Sequence, residues 1–276
     1  MKIRRRTLPS GWYPPSEEEV RLTIENYKRQ NPTSSTTKRG LSGIAPHAGW
    51  FFSGELAFRV VDSLKPAETC VVIGGHLGSW DSIHLYPHDA FETPFGLLEG
   101  DGEFRDLIRR ECPTVWTDDA DNTVEVQLPF VKFFFPSIRV VCLRCPPNEE
   151  AIRLGRFLAH QQRDLHRSLM VLASTDLTHY GPNYGFMPKG IGEKALDWVR
   201  EENDRGFLDA AIKLNPEGLV SHAETHKSAC SAGAAAVAAS FAKELNLKGT
   251  LLGYSTSWDK HPSPSFVGYG AVVYHP

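Results

Sequence analysis

The chain has 276 residues, 41% hydrophobic and 23% charged, and its 30 Lys and Arg against 33 Asp and Glu leave a formal net charge of −3. This is the balance of a globular chain that buries a core, with neither the basic excess that nucleic acid calls for nor an acidic, apolar-poor tail. The length suits one large α/β domain or two of ordinary size.

In chain order, the amino end MKIRRRTLPSGWYPPSEEE carries a positive cluster without the apolar run of a secretory signal, so export is not expected. Ser16, three residues before Glu19, predicts a capping box and a helix to about Arg29, with Val20, Leu22, Ile24 and Tyr27 as its apolar and aromatic residues. Asn31 to Arg39, with three Thr and two Ser, reads as a loop. Short apolar runs then alternate with longer amphipathic ones. The runs predict strands at Gly43 to Pro46, Cys70 to Ile73, Ile138 to Leu143, Leu169 to Ala173, Thr250 to Tyr254 and Val267 to Tyr274. Helices are predicted at Gly54 to Leu64, Glu103 to Glu111, Thr123 to Phe134, Glu149 to Gln161, Glu193 to Lys213 and Cys230 to Leu245. That order implies a three-layer α/β/α sandwich on a mostly parallel or mixed sheet. No repeat or low-complexity linker divides it, so one domain over 1–276 is expected.

The longest uncharged apolar stretch, Ala229 to Ala242, has 14 residues, short of the ~18–20 that cross a bilayer, and reads as a buried helix rather than a membrane span. Five scattered cysteines, an odd number, point to reduced thiols and a cytoplasmic setting.

Three segments place a histidine just past a predicted strand: Ile44-Ala45-Pro46-His47-Ala48-Gly49, Val72-Ile73-Gly74-Gly75-His76, and Ser174-Thr175-Asp176 with Leu177-Thr178-His179-Tyr180-Gly181. In open α/β sheets ligands gather beyond the carboxyl ends of strands. One such histidine is more often an ordinary loop residue, but three converge on one sheet edge. Cys230 stands at the amino end of a predicted helix, where the backbone dipole favours a thiolate. A thiolate with two imidazoles makes a three-ligand set with open positions, an arrangement suited to catalysis. Cys142-Leu143-Arg144-Cys145 is a lone CxxC whose thiols point to opposite faces of a strand, and His222 to His226 lacks the Glu placement of HExxH. GxSxG, GxxxxGK[ST] and GxGxxG are all missing.

With these segments assembled, the chain resembles the Memo family, also called AmmeMemoRadiSam system protein B, whose fold is similar to that of class III extradiol dioxygenases. The resemblance runs from Gly11-Trp12-Tyr13-Pro14 through the APHAG segment at His47 and Val124-Glu125-Val126-Gln127-Leu128-Pro129-Phe130 to Asp176, His179 and Cys230. It implies His47, His76 and Cys230 as ligands of one transition metal ion, iron or copper first and zinc as a further choice. His179 is implied as the acid/base or substrate-facing histidine. Thiolate in place of the dioxygenases' carboxylate favours these softer metals over magnesium or calcium. Leu77 follows His76 where the family commonly has a second histidine, and Asn122 stands where another histidine usually precedes the VEVQLP-type segment, which trims the proton-transfer inventory.

The leading expectation is a non-haem metal oxidoreductase in which Asp176 orients His179, with Glu125, Asn122 and Tyr180 supporting the ligands or lining the pocket. The alternatives are a hydrolase with Cys230 as nucleophile, His179 as base and Asp176 as orienter, and a non-enzymatic protein that binds metal or peptide. A small-molecule substrate or peptide is the expected partner, and the resemblance adds a radical-SAM protein and an AMMECR-type domain.

Overall fold

A computed structural model describes residues 1–31 and 39–276. The predicted loop from Asn31 to Arg39 therefore lies, apart from its two end residues, outside the described residues. Chain order is β1 (Ile3–Arg4), α1 (Glu17–Gln30), β2 (Ser42–Ala45), α2 (Trp50–Asp62), β3 (Thr69–Gly74), β4 (Ile83–Leu85), β5 (Ala90–Thr93), β6 (Gly96–Glu99), α3 (Gly102–Glu111) and β7 (Thr114–Trp116). It continues through α4 (Asn122–Glu125), α5 (Leu128–Phe134), β8 (Arg139–Arg144), α6 (Glu149–Arg163), β9 (Leu169–Ser174) and β10 (His179–Tyr180). The last elements are α7 (Glu193–Trp198), α8 (Asp204–Ile212), α9 (Pro216–His226), α10 (Ala232–Glu244), β11 (Lys248–Thr256) and β12 (Phe266–His275).

The main sheet has nine strands in the order β10-β12-β2-β9-β3-β8-β4-β7, with β11 added on β12. β2, β9, β3 and β8 pair in parallel, whereas β12 joins β2 and β4 joins β8 in antiparallel fashion, so the sheet is mixed. A small sheet of β1, β5 and β6 stands apart. Every residue of β3 and β9 is buried, which is why these strands read as unbroken apolar runs rather than alternating ones. Alternation decides only the face: Val71 and Ile73 join the core with α3, α6, α8, α9 and α10, while Cys70 and Val72 join the one with α1, α2, α4 and α5.

The Ser16 capping box forms as expected, the hydroxyl accepting from Glu19 N–H and the Glu19 carboxylate accepting from Ser16 N–H. In α10 every residue from Ala232 to Ala242 is buried. Its partner α6 approaches it through Gly155, where a Cβ would sit 2.6 Å from the Val237 carbonyl oxygen and 2.5 Å from Ser240 Cβ. Two predicted helices are interrupted. Thr123 to Phe134 is divided into α4 and α5 by a turn at Val126 and Gln127 before Pro129, and Glu193 to Lys213 passes through a π-helical stretch at Val199–Asn203 between α7 and α8.

Asp204 opens α8 in complete burial, accepting from Thr178 N–H at 3.0 Å, from the Thr178 hydroxyl, and from Tyr254 OH at 2.8 Å. Burial raises its pKa from 3.8 to about 7, with the Thr178 and Tyr254 hydrogen bonds pulling the other way. The folded chain thus keeps a proton that the unfolded chain releases near pH 3.8, so this group's stabilisation is full in acid and fades as pH rises toward about 7. Asp204→Asn removes that dependence. Between about pH 5 and about pH 8 the stability difference in urea should move in favour of the variant by about 3 kcal/mol. A difference that stays constant with pH would show that Asp204 ionises alike in both states.

Candidate metal centre

Three separate stretches of chain deliver the site. β2 ends at Ala45, and after Pro46 the next residue, His47, is 1% exposed. β3 ends at Gly74, and the step Gly74-Gly75 lets the chain press against the start of α10: a Cβ on Gly75 would lie 2.3 Å from Ser231 Cβ. His76 follows with φ of 59°, a left-handed backbone that a non-glycine residue adopts only when its surroundings hold it there. The third stretch is the entry to α10, where Cys230 N–H donates to the Asp176 carbonyl at 3.3 Å and Ser231 N–H to the Thr175 hydroxyl at 3.1 Å.

Ligand atoms from His47, His76 and Cys230 lie within 4.8 Å of one another. Cys230 Sγ is 3.2 Å from His47 Nε2, and the two rings meet edge to face with centroids 5.1 Å apart. The far side of each ring is braced. His47 Nδ1 is 3.2 Å from Ser174 Oγ, which also accepts from Gln127 Nε2 at 3.0 Å. His76 Nδ1 is 3.1 Å from Asp121 Oδ2, whose carboxylate also takes Thr123 N–H at 2.9 Å and Arg144 Nη1 at 3.3 Å. Both rings therefore keep Nε2 for the centre, in the manner of metal-binding histidines held by outer hydrogen bonds.

The electrostatics fit a cation. Burial alone would push a Cys230 thiol up, but the neighbouring His47 and His76 imidazoles bring it well below the usual range. Burial likewise opposes charge on both rings. The Cys230 thiolate and Asp176 nevertheless raise His47 to about 9, and hydrogen bonds to Asp121 and Cys230 raise His76 to about 10. Asp121 is held down at about 2, against its burial, by His76 and Thr123. A thiolate faced by two proton-holding imidazoles could take a metal ion in the place of those protons.

The site opens into a cavity of about 420 Å³. Trp12, Phe52, Tyr184 and Tyr269 supply rings to its wall, Ser257, Ser263 and Ser265 hydroxyls, and His179, His261 and Asn122 further polar groups. Among the described residues its lining contains no Lys or Arg. His179 shares this cavity with His47 and His76 yet stands outside the three-ligand group.

Four expectations meet a different arrangement. Asp176 does not orient His179: its Oδ1 accepts His47 N–H at 2.6 Å, and His179 Nδ1 instead bonds the Leu177 carbonyl at 3.1 Å. Among the described residues no hydrogen bond joins Cys230, His179 and Asp176 into a triad, because Cys230 faces His47. Glu125 points away from the centre and receives Thr7, Leu8 and Tyr13. Tyr180 lies in a satellite core, stacked on Phe266, its hydroxyl donating to Gly190 O at 2.9 Å, and the aromatic wall of the cavity near His179 is Tyr184 instead. Asn122 lines the cavity and donates to the His47 carbonyl at 3.1 Å. Sequence reasoning missed Asp121, Arg144 and Ser174. Gln127 lay within the quoted VEVQLPF segment, but nothing in its type marked it as a brace.

A family profile described as Memo-like protein matches residues 4–273. The chain belongs to the Memo-like family. Among curated members it is 27% identical to MEMO1 family protein TK1477 of Thermococcus kodakarensis, over 96% of this chain and 97% of that protein. It is 30% identical to MEMO1 family protein MK0963 of Methanopyrus kandleri, over 95% of each. Among solved structures, the uncharacterized protein JW3007 of Escherichia coli K12 has the same fold, with a TM-score of 0.56, 12% identity, and coverage of 85% of this chain and all of that one. The His47, His76 and Cys230 group, which could hold a metal ion, thus lies within the stretch that the Memo-like profile matches. No helix among the described residues is long and apolar enough to cross a membrane.

Proposed function

We propose that this Memo-like protein is a mononuclear metalloenzyme of redox type, with His47, His76 and Cys230 holding one iron or copper ion and zinc as the alternative occupant. The observation that carries the reading is the braced pair of imidazoles that line an open cavity, with the Cys230 sulfur against one of them. Two nitrogens and one soft sulfur suit these ions, and three protein ligands leave positions for a substrate. When bound, the metal supplies Lewis acidity and, for iron or copper, electron transfer.

The chain's own part is acid/base and positioning chemistry. His179 donates from Nδ1 to Leu177 O, which leaves Nε2 as the ring's proton acceptor beside the cavity. Asp176 is fully buried, and its pKa is raised by that burial with the Cys230 charge adding to it and His47 opposing, so it holds a proton more tightly than an exposed carboxyl. These two are the groups that move protons to and from a bound ligand. Ring walls from Trp12, Phe52 and Tyr184 exclude water and favour a small planar substrate. The five free cysteines, four of them buried, support a reducing, cytoplasmic setting. The radical-SAM and AMMECR-type partners rest on the family resemblance.

The decisive experiment is metal analysis and spectroscopy of protein purified without oxygen. About one equivalent of iron or copper with a thiolate-to-metal absorption band is expected. Metal-free protein that takes up neither ion under those conditions would overturn the reading, and redox-silent zinc alone would favour hydrolysis or a binding role.

A further inference from the structure

The amino-terminal strap runs along the surface yet reaches the pocket through Trp12. Thr7, Leu8 and Tyr13 bond Glu125 of α4, and Trp12 lines the cavity. What holds the strap is a buried carboxylate. Glu125 is 4% exposed and accepts Thr7 N–H at 2.9 Å, the Thr7 hydroxyl at 2.6 Å, Leu8 N–H at 3.1 Å and Tyr13 OH at 3.0 Å. Three of the four donors come from Thr7 and Leu8, two adjacent residues on a segment with no regular structure, so without Glu125 these groups have only solvent to bond. The strap in turn touches the ligand-bearing loop: Trp12 O accepts Trp50 N–H at 2.7 Å, the first turn of the helix that follows His47. Trp50 Nε1 closes the circuit by donating to Val126 O, next to Glu125, at 3.2 Å.

We infer that Glu125 is a positioning residue for the pocket, fixing the strap and through it the Trp12 wall, and thereby setting the size of molecule that reaches the His47, His76 and Cys230 centre. This rests on the cavity being the ligand site of the proposed function. A carboxylate is required for the task because every group it meets is a donor, and an amide would turn its NH₂ toward some of them. Burial first, and then the charge of Glu125, raise the Tyr13 phenol far above its usual range, in keeping with a hydroxyl that serves only as a donor here.

Cys230 provides the readout, because the other four cysteines are buried and it alone is partly exposed. Metal-free protein is alkylated with iodoacetamide and, separately, with the bulkier N-phenylmaleimide, and the two rates are compared as a ratio. Glu125→Gln and Trp12→Ala should each raise the N-phenylmaleimide to iodoacetamide ratio by about tenfold, with Tyr13→Phe giving a smaller rise. Zinc stoichiometry should stay that of the wild type. General loosening speeds both reagents together, so the ratio separates a set pocket width from a merely structural role. An unchanged ratio in Glu125→Gln and Trp12→Ala would overturn the inference, as would an equal acceleration of both reagents with loss of zinc. If wild-type protein binds no zinc, the metal reading fails while the ratio still decides the role of Glu125.

Discussion

Cys230→Ala should emerge without metal, while His179→Ala keeps a full equivalent and loses turnover by about 10²–10⁴-fold, the usual contribution of a positioned acid/base. Cys230 offers the one sulfur of the group, and its removal leaves two nitrogen donors, fewer than a tightly held ion needs. His179 contacts the cavity but lies outside the three-ligand cluster, so its loss empties no coordination position. Asp121→Ala should fall between the two: His76 keeps its Nε2 but loses the carboxylate that aims its ring, a change that weakens metal affinity by about 10–100-fold. The measurement is metal stoichiometry and affinity of the three variants side by side. If His179→Ala lost the metal and Cys230→Ala kept it, the assignment of ligands would be inverted and Cys230 would stand as a nucleophile.

The second large effect concerns the core. Ala236→Gln should destabilise the fold by about 4 kcal/mol, because the new side chain both overpacks a filled interface and buries an amide without partners. Ala236 is fully buried in α10, the helix that packs against α6 and the sheet strands β9 and β2. For a chain of this size each kcal/mol moves Tm by about 2–4 °C, so a drop on the order of 10 °C is expected by calorimetry. An unchanged Tm would mean that α10 yields at this position. The same change would disturb the centre, because Cys230 stands two residues before α10 begins.

The parts of this fold that were legible in the sequence are those where one signal dominates. β2, β3, β8 and β9 announce themselves as short apolar runs because both of their faces are covered, and α10 does so because an Ala-rich stretch has nowhere to go but inward. The small strands β4 to β7 and helix α9 escaped, since three or four residues such as Ile83–Leu85 are too few to show a period and α9 begins at Pro216 with a weakly amphipathic face. At the site, position beyond a strand singled out His47, His76 and His179, and position at the amino end of a predicted helix singled out Cys230. Asp121 was invisible for a physical reason. Before a helix it reads as an ordinary cap, and it does cap α4 through Thr123 N–H, while its second task depends on a partner 45 positions away. Glu125 was singled out as a carboxylate near the ligands, whereas its hydrogen-bond donors lie more than a hundred residues upstream, which no local pattern reveals.

His47 and Cys230 meet across a separation of 183 positions, the first delivered by the end of the interior strand β2 and the second by the loop that enters α10. An unfolded chain therefore offers a metal ion only scattered single ligands, and joining them early would cost the entropy of closing a long loop for little return. Any metal that the group takes would then load onto the finished protein rather than during its synthesis. The ion cannot guide the chain to its structure, as it does in small zinc modules, but it can hold the structure once made, since a ligand that binds only the folded state adds its free energy to stability. Choice of metal then falls to the mature cavity and to whichever ions the surroundings supply after folding is complete, so the same polypeptide made in two different metal climates would be two chemically distinct proteins.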